Sequence, residues 1–245
     1  MAEENSFKEN LNWKKLSIDA VNTIIATAIG IILGLLVDKW RENVSNQENY
    51  QKVIVATIVN LENYEQQIKN LKSYTEYNEE FYNSFFEDDY EETDSTMDEI
   101  GYVFFSEEFK QQDRWIEENF ITNGGFIEDA DLRLKIGNVY SLIDLCKNRF
   151  TQLKESSNKA YDKYLNIYVN EDPKKAFDKV LFDKEFLAYG SNLGVANLDI
   201  ADWLVSIEEL TKEIIKISNA DEKQLNDMRQ ASKKILDKIS QARAN

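Results

Sequence analysis

The sequence predicts an all-α protein in which one N-terminal transmembrane helix continues into an antiparallel, coiled-coil-like bundle of long helices. Three observations predict it. One proline and eight glycines in 245 residues leave room for long uninterrupted helices rather than a turn-rich β architecture. Residues 20–37 carry no charge. Beyond them, apolar residues recur at steps of three and four, the period of a helix buried on one side.

The run from Ala20 to Val37 is bounded by Asp19 and Asp38. At the helical rise it spans about 27 Å, close to the thickness of bilayer hydrocarbon. Asn22, Thr23 and Thr27 dilute its hydropathy, but hydroxyls can bond back to the preceding turn. Trp13, Lys14 and Lys15 precede the run, and Lys39, Trp40 and Arg41 follow it. A continuous helix separates the two tryptophans by roughly 40 Å, which suits one indole in each headgroup layer. No small-residue cleavage site follows, which disfavours a signal peptide. Ala26, Gly30 and Gly34 lie at four-residue steps on one face, the small-residue pattern that lets two membrane helices approach closely. Basic residues are balanced across the segment. The long domain after it favours an amino terminus in the cytoplasm and a domain outside, because large domains translocate largely regardless of charge.

Residues 1–19 are read as a short N-terminal arm, 20–37 as the membrane helix and 38–86 as a helical stalk. The stalk seam is Ile54, Thr57, Leu61, Tyr64, Ile68 and Leu71. Residues 87–127 form an acidic loop and then a short helix from Ser106 to Phe120, packed through Phe109, Trp115, Ile116 and Phe120. The acids of that loop lack the central glycine and closing pattern of a calcium-binding EF-hand loop, so a solvated loop is expected.

Residues 128–245 are read as a long-helix hairpin with a short connecting helix at 173–189. Its first arm, capped by Asp129 or Asp131, has the clearest period in the chain: Leu132, Ile136, Val139, Ile143, Cys146, Phe150, Leu153, Ser157, Ala160, Tyr164 and Ile167. Pro173 opens the connecting helix, where its missing N–H costs nothing. Gly190 and Gly194 mark the exit from it, and a last helix runs from Leu198 towards Ala242. An antiparallel succession of stalk and hairpin brings residues 173–190 back to the bilayer, where Phe177, Phe182 and Phe186 could meet lipid or close the end of the bundle.

The chemistry is bounded mostly by what is missing. There is no histidine, which removes the usual base near neutral pH, the usual zinc ligand and every Ser-His or Cys-His mechanism. Cys146 is the one cysteine; on an apolar stripe it reads as a small core residue. Carboxylate pairs such as Glu79-Glu80 and Glu208-Glu209 point in different directions on a helix. A net charge of −16 repels nucleic-acid phosphates. No catalytic residue, cofactor, metal ligand or small-molecule site is assigned.

Two patches resemble a family of uncharacterised, single-pass membrane-anchored helical proteins of Gram-negative bacteria, a domain of unknown function. The first is Ile29-Gly30-Ile31-Ile32-Leu33 leading to Trp40-Arg41-Glu42. The second is Asn123-Gly124-Gly125-Phe126-Ile127 followed by Leu132-Arg133-Leu134-Lys135-Ile136 and Tyr140. Family members often carry an acid inside the membrane segment, and this chain has none there. The resemblance implies anchoring in the inner membrane.

The sequence therefore points to a non-enzymatic, membrane-anchored structural or interaction protein. It is expected to be an oligomer or a subunit of an inner-membrane complex, with a periplasmic helical domain that meets an extracytoplasmic partner. Its partners are the lipid bilayer and either itself or another single-pass membrane protein. Two alternatives share the membrane helix: a pore-forming or channel-like effector, and a sensor domain signalling through a membrane partner.

Overall fold

The computed structural model describes residues 46–87, 90, 96–110, 116, 127 and 129–244. Among the described residues the fold is all-α, with helices α1 (Asn46–Ser84), α2 (Thr96–Ile100), α3 (Ala130–Asn170), α4 (Pro173–Leu181), α5 (Lys184–Ile217) and α6 (Glu222–Ala244). The predicted membrane segment lies outside the described residues; among those described, no helix is long and apolar enough to cross a membrane. The chain divides into two compact units. The larger joins Leu61–Lys110 to Asp129–Asn219, and the other takes in the described parts of Met1–Asn60, Gln111–Glu128 and Ala220–Asn245.

In the larger unit, α1 buries Leu61, Tyr64, Ile68 and Leu71, as the heptad seam predicts, and extends the seam through Thr75, Asn78 and Tyr82 to Phe85 just past its end. Helix α3 starts at Asp129, whose Oδ1 accepts from the N–H groups of Asp131 (2.9 Å) and Leu132 (3.1 Å). Every predicted core position of α3 is buried except Ile167, which is half-buried, and Tyr140 joins the set. Helix α4 begins on Pro173, as its fixed φ favours.

The last long helix differs from the expectation at both ends. It begins at Lys184, where the Asp183 carboxylate accepts from the N–H groups of Glu185 (2.8 Å) and Phe186 (3.4 Å). Gly190 and Gly194 are therefore interior to α5, and the connecting helix ends at Leu181 rather than 189. The expected single helix to Ala242 is broken after Ile217, and Asn219 there takes φ 49°. Asparagine tolerates that left-handed geometry better than most residues because its short amide can bond locally.

Cross-helix contacts fix the directions. Lys135 meets Glu213 at 2.8 Å, Arg149 pairs with Asp199, and Asn192 Nδ2 donates to Ser156 Oγ at 2.8 Å, so α3 and α5 are antiparallel. Lys69 meets Glu208 at 2.7 Å and the Tyr82 ring lies 4.9 Å from Phe186, so α1 and α5 are antiparallel too. It follows that α1 and α3 run parallel, which corrects the expected antiparallel succession. Helix α4 accordingly lies beside the Ser84 end of α1, where Phe177 meets Phe85 edge-on at 6.3 Å.

The reason is the segment from Thr96 to Lys110, which runs back along the bundle. Near its start the Met97 carbonyl accepts from the Tyr164 hydroxyl (2.8 Å). Further on, Phe105 and Phe109 both lie 6.1 Å from Phe150, and Glu108 pairs with Lys154. Extended chain covers about 3.3 Å per residue against 1.5 Å in a helix, so a short irregular stretch can retrace a long helix. The acidic loop expected to open residues 87–127 thus contains α2, and the expected helix from Ser106 is irregular chain through Lys110. Of its predicted packing residues Ile116 is buried, while Trp115 and Phe120 lie outside the described residues.

In the second unit, Ile54 and Ile58 are buried on α1. The N–H of Asp221 donates to Gln51 Oε1 (2.9 Å), and the Asp221 carboxylate accepts from Gln224 N–H (2.8 Å) at the start of α6.

Gly190 holds α1 and α5 close. A Cβ built there would overlap the Tyr82 ring, and that ring is confined by Phe86, Phe186 and Tyr189. Helix propensity alone makes alanine better than glycine by about 1 kcal/mol; overlap with a confined ring outweighs it. Gly190→Ala is expected to lower stability to urea by about 2 kcal/mol, and Tyr82→Leu in the same chain to recover part of that loss. At Gly137, where an added Cβ meets nothing within 4 Å, the same change should raise stability by about 0.5–1 kcal/mol.

Candidate functional site

Polar side chains gather where α1, α5 and the returning segment meet. Thr75 and Asn78 are fully buried on the α1 seam, and Asn197 is buried on α5. The Asn197 Nδ2 donates to Glu79, its Oδ1 accepts from the Thr75 hydroxyl, and that hydroxyl is shared with the Lys72 carbonyl at 2.8 Å. Gly194 admits the Glu79 side chain, whose Oε1 lies 3.1 Å from where a Cβ would stand. The Asn78 amide lies against the Tyr189 hydroxyl and favours its ionised form, against the effect of burial.

Tyr189 satisfies backbone that no regular structure satisfies. Its hydroxyl donates to the Val103 carbonyl (2.8 Å) and accepts from the Phe105 N–H (2.9 Å). The Tyr164 hydroxyl likewise donates to the Met97 carbonyl. Buried irregular chain needs such partners, because an unpaired N–H or C=O costs about as much as a lost hydrogen bond. Burial pushes these phenols up, that of Tyr164 to about 12 and that of Tyr82 to about 12, and Tyr189 in the same direction. The arrangement is a positioning network: it fixes helices and chain, and it presents no nucleophile to solvent.

Cys146 is fully buried on α3, and burial raises its thiol to about 12. A thiol so protonated and enclosed is a core group rather than a nucleophile. Among the described residues no group of three acidic or cysteine side chains could hold a metal ion.

The predicted membrane contacts Ala26, Gly30 and Gly34 and the interface residues Trp13, Lys14, Lys15, Lys39, Trp40 and Arg41 lie outside the described residues. Of the three phenylalanines proposed for a lipid surface, Phe177 and Phe186 are buried. Phe177 stacks on Tyr90 at 5.7 Å, and Phe186 lies 4.9 Å from Tyr82. Phe182, just past α4, is 72% exposed. It is followed closely by the exposed Lys184.

The roles of Tyr189, Tyr164 and Gly190 were missed from sequence, although each left a signal. A tyrosine on an apolar ladder brings a hydroxyl that needs a partner. Gly190 and Gly194 repeat the four-residue small spacing credited to Gly30 and Gly34. No protein family, no curated protein and no solved structure matches the chain.

Tyr189→Phe removes the donor to Val103 and the acceptor for Phe105 while keeping the ring, and is expected to cost about 2–4 kcal/mol in denaturant titration. The raised phenols and thiol also set the response to alkali. Their neutral forms are favoured by the fold, so this part of the stability is full below the ordinary values, near 9 for the thiol and 10 for the phenols, and is lost as pH rises from there towards 12. Thermal melts should fall over that interval, with the 295 nm phenolate signal rising as the fold is lost.

Proposed function

We propose that the chain is a non-enzymatic, membrane-anchored interaction protein. Residues 20–37 hold it in the bacterial inner membrane, with the amino terminus in the cytoplasm. Its helical domain meets an extracytoplasmic partner, either as an oligomer or as a subunit of a membrane complex. The observation that carries this reading is the uncharged run between Asp19 and Asp38, flanked on both sides by tryptophan next to lysine. The absence of histidine from the sequence supports the non-enzymatic part. Further support comes from the polar interior of the larger unit, where the Tyr189 hydroxyl goes to backbone and the Asn197 amide to a helix–helix contact.

Gly30 and Gly34 are the proposed contact within the bilayer. The full chain is expected to sediment with membranes and to stay there through alkaline carbonate. In mild detergent it should run as an oligomer that Gly30→Leu with Gly34→Leu shifts to a smaller particle. Release into the carbonate supernatant would overturn the anchoring, and an unchanged oligomer in the double variant would overturn the role of the glycines.

A further inference from the structure

One face of α5 is left over by the packing already described. The helix turns Leu193, Ile200, Ile207 and Ile214 into the core. It spends Gly190 and Asn197 on α1, and Asp199 and Glu213 on α3. On the opposite side Leu187, Val195, Leu198 and Val205 stand exposed, Leu198 by 72%. Ser191 and Asp202 fill the gaps between them, so the strip advances in steps of three and four, the spacing of a helix-pairing seam. Although 30% of the chain's residues are charged, Asp202 is the one charge among the exposed α5 residues between Lys184 and Glu209. Loss of charge at the centre of a patch is the compositional mark of an interface.

The order of residues along the strip states what covers it. Two copies of α5 laid antiparallel about a twofold axis between Ala196 and Asn197 bring Val195 opposite Leu198 of the second copy. Ser191 then faces Asp202, a hydroxyl donor against a carboxylate, and Lys184 faces Glu209 at each end. Leu187 comes within one residue of Val205. Each pairing occurs twice, as an isologous interface requires. The parallel, in-register alternative sets Asp202 on Asp202, Lys184 on Lys184 and Glu209 on Glu209, so like charges oppose it. We infer that the outer face of α5 is a homodimerisation surface on which α5 pairs antiparallel with α5 of a second copy of this chain.

This inference rests on the reading of the chain as an assembling interaction protein and adds a contact separate from Gly30 and Gly34. The two contacts lie on different parts of the chain, so each is tested on its own.

Cysteine cross-linking of the full chain in mild detergent tests it. Leu187→Cys and Val205→Cys are made in separate chains and oxidised alone and mixed. In the antiparallel pair, Leu187 is about 28 Å from its own counterpart along the axis, far beyond disulfide reach. A dimer band in the mixture and none in either variant alone is the expected result. Bands in the single variants, or none in the mixture, would overturn it. Lys184→Glu in both chains should reduce the mixed yield about tenfold, and Glu209→Lys added to both should restore it; lack of restoration also overturns the register. A mixture that fails to cross-link while the Gly30-dependent oligomer persists sinks this inference alone. Cross-linking by a chain that carbonate releases sinks the anchoring alone.

Discussion

The close approach of α1 to α5 is the constraint on which the larger unit depends. With no side chain at Gly190, the Tyr82 ring can lie against the α5 backbone, and one turn further Glu79 reaches past Gly194 to Asn197. Those contacts set which face of α5 is spent on α1. The buried α3 ladder takes a second face, bordered by the ion pairs of Arg149 and Lys135, and the outer strip is what remains. The polar layer also fixes axial register. Sliding α1 by one heptad would place Leu71 or Ile68 against the Asn197 amide and leave that amide buried without a partner. Burying amides in such a layer is costly wherever one lacks a partner, on the order of 1–3 kcal/mol. The layer persists as a register device of the kind polar seam positions provide in helix pairs.

Much of the core was legible because burial imposes a period. The α1 seam from Leu61 to Leu71 and the α3 ladder from Leu132 to Tyr164 are buried as the steps of three and four require. Ile167 falls out of the ladder because it stands in the last turn of α3, where little chain remains to cover it. The readings that failed share a physical cause: they concern residues that act by contact rather than by period. Glycine has two uses in a helix, ending it or letting another element approach. Gly190 and Gly194 have the second, so a boundary placed there fell inside α5. The direction of α3 is not legible in the sequence because Thr96–Lys110 has no helical period to announce that it crosses the bundle. Its backbone is held by tyrosine hydroxyls contributed by α3 and α5.

The outer seam of α5 was hidden for a related reason. A helix apolar on two opposite faces shows no single stripe, so Leu187, Val195, Leu198 and Val205 could not be separated from core positions until the core itself was placed. The phenylalanines of residues 177–186 divide along the same line. Phe177 and Phe186 find aromatic partners at the Ser84 end of α1, a neighbourhood that only the parallel arrangement of α1 and α3 creates.

That parallel arrangement has a consequence for how the chain is made. Contacts between α3 and α5 join residues 36 to 78 apart, whereas Asn197 reaches Glu79 across 118. Closing the shorter loops costs less entropy, so the α3–α5 hairpin assembles before α1 can dock on it. Yet α1 leaves the ribosome first. At ordinary rates of synthesis its seam from Leu61 to Phe85 waits on the order of ten seconds for Asn197 to be made. For that interval a strip of Leu, Ile, Tyr and Phe is uncovered in the nascent chain, and whatever shields it meanwhile decides whether the bundle or an aggregate forms.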